Sequence, residues 1–288
     1  MCRLFAFRSI IPSQVHQSLL HAENGLCELS LDHPDGWGVS YYIEGAPHVV
    51  KSENAAFDDH IFRRVSGVVA SQTVLAHIRK ATLGNQSILN THPFQYGRWV
   101  FAHNGNIKNW KKHKDDLRRL VSLPLSRYIL GDTDSETLFF IFLTELFNEH
   151  QSLTKGLTAE QLIEGCQKAL DKIRAIVGPY LTQDDGPPSE TYLTFILTNG
   201  SSIVGFQGGK NLYYSTYKTL CHESKTCSYF EASCHAPSED GTVNHLILSS
   251  APIDGENIWH PLAPGDFVAS DDLRHPHKIS MIYKKKAL

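Results

Sequence analysis

Two helical segments stand between two strand-rich stretches of this chain, and that order constrains its fold more than any other feature. The strand-rich stretches hold short runs of aromatic and β-branched residues, each followed by turn formers. The predicted strands cover residues 2–7, 37–43, 73–78, 98–102, 213–217, 245–248, 267–270 and 278–283. Because strands and helices do not alternate regularly, this order predicts a layered α+β fold with antiparallel sheets.

The first helical segment follows a capping signal. Thr133 and Glu136 have the spacing of a capping box, and the apolar run 138–143 comes directly after them. A helix is therefore predicted to begin here, with Asp134 in its first turn as an exposed, fixed carboxylate. The run is apolar on nearly every side, so this helix should lie buried between layers.

The second helical segment is predicted over residues 159–177, where apolar residues recur at steps of three and four. Cys166 falls on that apolar stripe and is expected to fill the core. The turn formers of 182–190 end the helix, and a hairpin is predicted over 191–206 with Asn199-Gly200 at its turn.

Charge and apolar length exclude several classes of function. The chain has 27 Lys and Arg against 30 Asp and Glu, a formal charge of −3, so it lacks the basic excess typical of nucleic-acid or anionic-membrane binders. No apolar run approaches the roughly 20 residues needed to span a bilayer. The first residues are too short in apolar length for a signal peptide, and six cysteines are too few for a disulfide scaffold. We therefore expect a cytoplasmic protein with reduced thiols.

The second residue, Cys2, is a candidate nucleophile. A Met before a residue this small is expected to be removed, which would leave Cys2 with a free α-amino group close to its own thiol. An amine with a pKa of about 7.7–8.0 can act as the general base at neutral pH, so one residue would supply both nucleophile and base. Position alone favours a strand cysteine that faces the core.

Clusters of polar residues also follow the ends of several predicted strands. These clusters are 76–82 (Ala-His-Ile-Arg-Lys-Ala-Thr), 90–94 (Asn-Thr-His-Pro-Phe), 102–105 (Ala-His-Asn-Gly) and 131–136 (Gly-Asp-Thr-Asp-Ser-Glu). With Met-Cys-Arg at the start and Asp-Gly-Trp-Gly at 35–38, they occur in the order of the class II (N-terminal cysteine) glutamine amidotransferases. The chain resembles that family, above all its stand-alone members without a synthase domain. The motif matches cover residues 2–136, and a looser resemblance continues to Trp259.

The resemblance implies a fold and a set of site residues. The fold would be the N-terminal nucleophile (Ntn) hydrolase sandwich, four layers in the order αββα with two antiparallel sheets, in a single domain over 2–288. Cys2 would attack a γ-carboxamide carbon, while the Asn104 side chain and the Gly105 N–H would form the oxyanion hole. Arg79 would bind the α-carboxylate of the substrate and Asp134 its α-amino group. The other residues implied to line this pocket are Thr82 and His92.

This mechanism needs no metal or organic cofactor, because amine, thiol and oxyanion hole supply all of its steps. Two reactions remain open at this point. One is a glutaminase that releases glutamate and ammonia for a separate synthase subunit. The other is a hydrolase of γ-glutamyl peptides or γ-glutamyl thiol derivatives, acting alone or with a peptidase subunit. The glutamyl end of the substrate is the same in both.

Three features fit this assignment less well. Lys80 follows Arg79 where many fused family members have Trp, and Ala251 stands where an acidic residue is expected in the stand-alone relatives. The segment 221–235 carries Cys221-His222, Cys227 and Cys234-His235, which raises a third hypothesis, a non-catalytic metal-binding or scaffold protein. Its cysteines are separated by five and six residues, wider than the usual zinc spacing, so it is interpreted as a cysteine-containing loop.

Overall fold

The computed structural model describes residues 2–14, 17–22, 24–81, 84–221, 224–225, 227–273 and 277–285. Its strands are β1 (Arg3–Gln14), β2 (Trp37–Ile43), β3 (Ala46–Ser52), β4 (Ala70–Ile78), β5 (Phe94–Tyr96), β6 (Trp99–Asn106), β7 (Tyr192–Thr198), β8 (Ser202–Phe206), β9 (Tyr213–Ser215), β10 (Thr242–Val243), β11 (His245–Ser249), β12 (His260–Pro261), β13 (Phe267–Asp271) and β14 (Ile279–Lys284). Its helices are α1 (Leu26–Leu29), α2 (His60–Val68), α3 (Trp110–Arg118), α4 (Leu123–Ser126), α5 (Asp134–His150) and α6 (Ala159–Val177).

The strands form two antiparallel sheets. The first has the order β12-β9-β11-β1-β4-β2-β3, and the second has the order β10-β14-β13-β8-β7-β6-β5. The sheets pack face to face. Successive side chains of a strand point to opposite faces, so each strand contributes to the core on both sides of its sheet. In β1, for example, Leu4 joins the core between the sheets, whereas Phe5 joins the core between the first sheet and α2.

Helices cover the outer faces of both sheets. The long helices α5 and α6 pack on the second sheet, through a core that includes Phe101, Phe142 and Phe195. Trp37 and Phe62 meet edge to face in the core of the other side, with ring centroids 5.0 Å apart. The four-layer α+β sandwich expected from the resemblance is therefore confirmed. No helix in the described part of the chain is both long enough and apolar enough to cross a membrane.

Most predicted elements are present with small changes at their ends. The bounds of β2 and α6 are the predicted ones, and the hairpin of β7 and β8 turns at Asn199-Gly200. Helix α5 begins at Asp134, as predicted, but its capping box is only half formed. Thr133 Oγ1 accepts the Glu136 N–H, while the Glu136 carboxylate accepts from Leu130 N and Gly131 N instead of from the cap residue.

The register of the first sheet sets the position of Cys2. Arg3 of β1 pairs with Ile78 of β4, so the chain one residue further brings Cys2 beside Arg79, at a sequence separation of 77. In the second sheet β6 ends at Asn106, and this end faces the start of α5 because Asp134 Oδ2 accepts the Ile107 N–H at 2.6 Å. The ends of β1, β4 and β6 and the start of α5 thus meet at one place.

Candidate active site

One small cavity lies where these four elements meet. Cys2, Arg79, His92, Gly105 and Asp134 all line it, so the structure brings together five of the seven site residues implied by the resemblance. Its other lining residues are Lys80, Ala81, His103, Thr133 and Ser135. The cavity measures about 20 Å³, the space of one water molecule, so the pocket has to widen around any γ-glutamyl substrate.

Asn104 is not among the residues that line the cavity. Asn104 is the neighbour of Gly105 in β6 and is buried. Thr82 lies outside the described residues.

The thiol of Cys2 contacts the backbone that follows Arg79. The Lys80 N–H donates to Cys2 Sγ, and the thiol in turn faces Lys80 O, both at 3.4 Å. Burial raises the pKa of the Cys2 thiol, although the backbone contact to Lys80 and the charge of Arg79 act in the opposite direction. The thiol is therefore protonated at neutral pH and needs a base before it can attack.

Arg79 is held by the segment that precedes β2. Its backbone N–H donates to Gly36 O at 2.8 Å, and Asp35 Oδ2 accepts the Ala81 N–H at 2.8 Å. The guanidinium also donates to Asp35 O at 3.4 Å. Burial lowers the pKa of Arg79, and the negative charge of Asp35 opposes that shift. Asp35 thus fixes the turn that carries Arg79. No such role was predicted for Asp35, the first residue of the Asp-Gly-Trp-Gly motif.

Asp134 is buried rather than exposed, with 3% of its surface accessible, which corrects the expectation of an exposed carboxylate. The reason is tertiary: the loop that leaves β6 crosses the start of α5. Oδ2 accepts the Ile107 N–H at 2.6 Å, and Oδ1 accepts the Ser135 N–H at 2.7 Å. These two N–H groups and the helix N-terminus stabilise the negative charge in place of water.

Gly105 lies where the chain is too crowded for a side chain. A Cβ atom there would lie 2.1 Å from Tyr192 O and 2.3 Å from His103 Nε2, closer than any real contact. Next to it, Asn104 is 3% exposed, and its Oδ1 has no hydrogen-bond partner among the described residues. A buried amide oxygen without a partner costs free energy, so its retention needs an explanation other than stability.

Two buried histidines, His92 and His103, line the cavity, and a third, His77, contacts His92. His103 Nε2 contacts Tyr192 O and its Nδ1 contacts the Ser135 hydroxyl, both at 2.9 Å, and burial lowers the pKa of this imidazole. The rings of His77 and His92 are in contact, with centroids 4.2 Å apart and an angle of 33° between their planes. No role was predicted for His77 or His103 from the sequence. Because β4 and β6 contact each other only in the folded protein, no local signal pointed to this cluster.

No described residue of the cysteine-containing segment 221–235 lines this cavity. The Cys221 N–H donates to His235 Nε2 at 3.1 Å, and Cys234 Sγ accepts from Asn244 Nδ2 at 3.0 Å. His222 lies outside the described residues. Within the described part of the chain, no group of three His, Cys, Asp or Glu side chains is arranged to hold a metal ion.

Comparisons with known proteins agree with this geometry. The family model for class II glutamine amidotransferases matches residues 1–281. The chain is 25% identical to the putative glutamine amidotransferase YafJ of Escherichia coli, over 93% of this chain and 96% of that protein. It is 28% identical to the probable glutamine amidotransferase DUG3 of Saccharomyces cerevisiae, over 71% of this chain, and the match spans only 62% of the yeast protein.

Solved structures place the fold in the same group. A glutamine aminotransferase class-II domain protein from Silicibacter pomeroyi superposes over the whole of both chains with a TM-score of 0.60 at 17% identity. At that identity the likeness concerns the fold alone, and it confirms the Ntn-hydrolase sandwich. Since the family model covers nearly the entire chain and the residues that resemble the family converge on one cavity, the chain belongs to the class II glutamine amidotransferases.

Proposed function

We propose that this protein hydrolyses the γ-amide of glutamine through a γ-glutamyl thioester on Cys2. The observation that carries the proposal is the placement of a guanidinium and a carboxylate, those of Arg79 and Asp134, in the cavity that also holds the Cys2 thiol. An α-amino acid head presents one negative and one positive group. A buried cation and a buried anion beside a nucleophile match that head and leave the γ-carboxamide to the thiol.

The first chemical step forms the thioester. After removal of Met1, the α-amino group of Cys2 takes the thiol proton, and Sγ forms a bond to the γ-carbonyl carbon. The C–N bond then breaks, and the amine returns the proton to the departing nitrogen, so that ammonia leaves. Burial raises the pKa of the Cys2 thiol, which is why a base this close is needed.

The second step releases glutamate. A water oxygen forms a bond to the thioester carbon, the C–S bond breaks, and the water proton passes through the α-amine to the sulfur. In both steps the carbonyl oxygen becomes an anion. We assign its stabilisation to the Nδ2–H of the Asn104 side chain and to the Gly105 N–H, because buried Asn104 lies directly before Gly105, which lines the cavity.

We further propose that the released ammonia is used by a separate acceptor enzyme, and that residues 2–288 form one amidotransferase domain. The family match over 1–281 supports a single domain. A cytoplasmic location is proposed on different grounds. All six cysteines are free thiols, as expected in a reducing compartment.

A substrate panel tests the proposed reaction. Glutamate release is measured with glutamine, with γ-glutamyl dipeptides and with a γ-glutamyl thiol derivative, using wild-type protein and Cys2→Ala. Glutamine turnover that depends on Cys2 supports the glutaminase. Turnover of only the peptides or the thiol derivative would replace it with the γ-glutamyl hydrolase, and no Cys2-dependent glutamate release from any of them would refute both.

A further inference from the structure

His92 and His77 form a buried pair of imidazoles. His77 is fully buried and interacts with the backbone of His103. His92 is 4% exposed, and neither of its ring nitrogens has a hydrogen-bond partner among the described residues. Buried polar atoms are nearly always paired in folded proteins, so two orphaned nitrogens on one ring are unusual. His103, in contrast, uses both of its nitrogens.

The pair is neutral at physiological pH. Burial lowers the pKa of His77 to about 3 and lowers the pKa of His92 well below its ordinary value, and the charge of Arg79 acts in the same direction on both. A neutral imidazole offers one N–H donor and one nitrogen acceptor. The two ring centroids lie 4.2 Å apart with the planes tilted by 33°, and the Phe94 ring meets His92 edge-on at 4.7 Å, so the orientation of His92 is restricted.

His92 shares the small cavity with Cys2. Both residues line it. Arg79 and Asp134, which also line the cavity, are already engaged by the proposed binding of the glutamyl head. The departing nitrogen and the water that follows it still need a partner, and His92 has free hydrogen-bonding capacity there among the described groups.

We propose that His92 forms the leaving-group and water site of the thioester reaction, with its ring held by His77. This inference rests on the proposed function and adds a role to it. His92 accepts a hydrogen bond from the departing ammonia, and after ammonia leaves it accepts one from the attacking water. Both molecules occupy the same side of the carbonyl, because deacylation by water retraces the path of the leaving nitrogen. His92 neither gains nor loses a proton, so the proton transfers described for the Cys2 amine are unchanged.

Partitioning of the thioester tests this role. With glutamine as substrate and hydroxylamine as a competing nucleophile, each thioester gives either glutamate or γ-glutamyl hydroxamate. Hydroxylamine is the stronger nucleophile and depends less on a hydrogen-bonding partner. In His92→Leu the ratio of hydroxamate to glutamate is therefore expected to rise about tenfold or more, because one transition-state hydrogen bond to water is lost. The value of kcat/KM for glutamine is expected to fall by a similar factor.

Two further variants make the test specific. The ratio is set after the thioester has formed, so a smaller folded fraction does not change it. His245→Leu is the matched control, because His245 is another histidine whose Nε2 is buried without a partner among the described residues, and it does not line this cavity. It should keep the wild-type ratio. If His92→Leu does not fold, His92→Gln, which retains a donor and an acceptor, is expected to keep the ratio within about threefold while His92→Ala raises it.

The outcomes separate the two proposals. A wild-type enzyme that forms neither glutamate nor hydroxamate contradicts the proposed function. If the wild-type enzyme is active but folded His92→Leu, or His92→Ala in its place, partitions as wild type does, the assignment of His92 is overturned and the proposed function stands. An equal rise in His245→Leu would also overturn it, because the effect would then follow from the loss of any buried imidazole.

Discussion

Replacing Asn104 should separate catalysis from stability. We expect Asn104→Ala to lower kcat by about 10²- to 10³-fold, equivalent to about 2.7–4 kcal/mol, because one oxyanion donor is lost where negative charge develops. KM should change little, since the glutamyl head is bound elsewhere. The free energy of unfolding should change by less than about 1 kcal/mol, because Oδ1 has no partner among the described residues and burying an orphaned acceptor already costs about 1–3 kcal/mol.

Asn106 is the matched control for this variant. It lies two residues further along β6 and is similarly buried, but its Nδ2 donates to Ser189 O at 3.2 Å and to Glu190 O at 3.3 Å. Asn106→Ala should therefore lose about 1–2 kcal/mol of unfolding free energy and keep kcat within about threefold. Urea unfolding and steady-state glutaminase kinetics on both variants provide the measurements. The reasoning is refuted if Asn104→Ala keeps its kcat, or if it loses stability as Asn106→Ala does.

Three further predictions follow from the described geometry. Arg79→Ala should lose discrimination against substrates without the α-carboxylate, and Asp134→Ala against substrates without the α-amine. Each variant should lose about 2–5 kcal/mol of transition-state stabilisation in kcat/KM for glutamine. Unchanged values of kcat/KM would contradict the binding of the glutamyl head by these two residues. Cys2→Ala should abolish turnover and keep the native melting temperature. Cys166→Ala should keep turnover and melt at a lower temperature, because it leaves a void where Cys166 of α6 packs in the core. Equal losses of turnover in the two variants would indicate an effect on folding. Stability should fall as the pH drops below about 6.5. Burial lowers the pKa of His77 and of His245 to about 3, so the unfolded chain binds more protons in this range than the folded one. The free energy of unfolding, measured with urea, should fall by at least about 1.4 kcal/mol per pH unit between pH 6 and 5, and a flat profile there would contradict the neutral burial of these rings.

Local patterns were sufficient to predict elements that are amphipathic or bounded by strong turn formers. Helix α6 has its apolar stripe and a capping box formed by Thr158 and Gln161, and its predicted bounds are correct. The hairpin of β7 and β8 was predicted from Asn199-Gly200. In contrast, β3 and α2 were missed. Strand β3 begins Ala-Pro-His and lies at the edge of its sheet. Helix α2 is short and mostly exposed, so its pattern covers few residues.

The candidate site depended on contacts that no local pattern contains. The pairing of Arg3 with Ile78 brings Cys2 to Arg79, and the Ile107 N–H buries Asp134, which local helix signals had indicated as exposed. The positions of the site residues came from their resemblance to a family. The contact between the His77 and His92 rings was not foreseen because each histidine, taken alone, has the sequence surroundings of an ordinary core residue.

Acid-quench mass spectrometry of the N-terminal peptide tests the central claim, that Cys2 is both nucleophile and mature N-terminus, most directly. The enzyme is mixed with glutamine, quenched during turnover and digested. We predict a peptide that begins at Cys2 and carries a γ-glutamyl group on it, and we predict that hydroxylamine removes this group, as expected of a thioester. An active enzyme that retains Met1, or a γ-glutamyl group on any residue other than Cys2, would contradict the account.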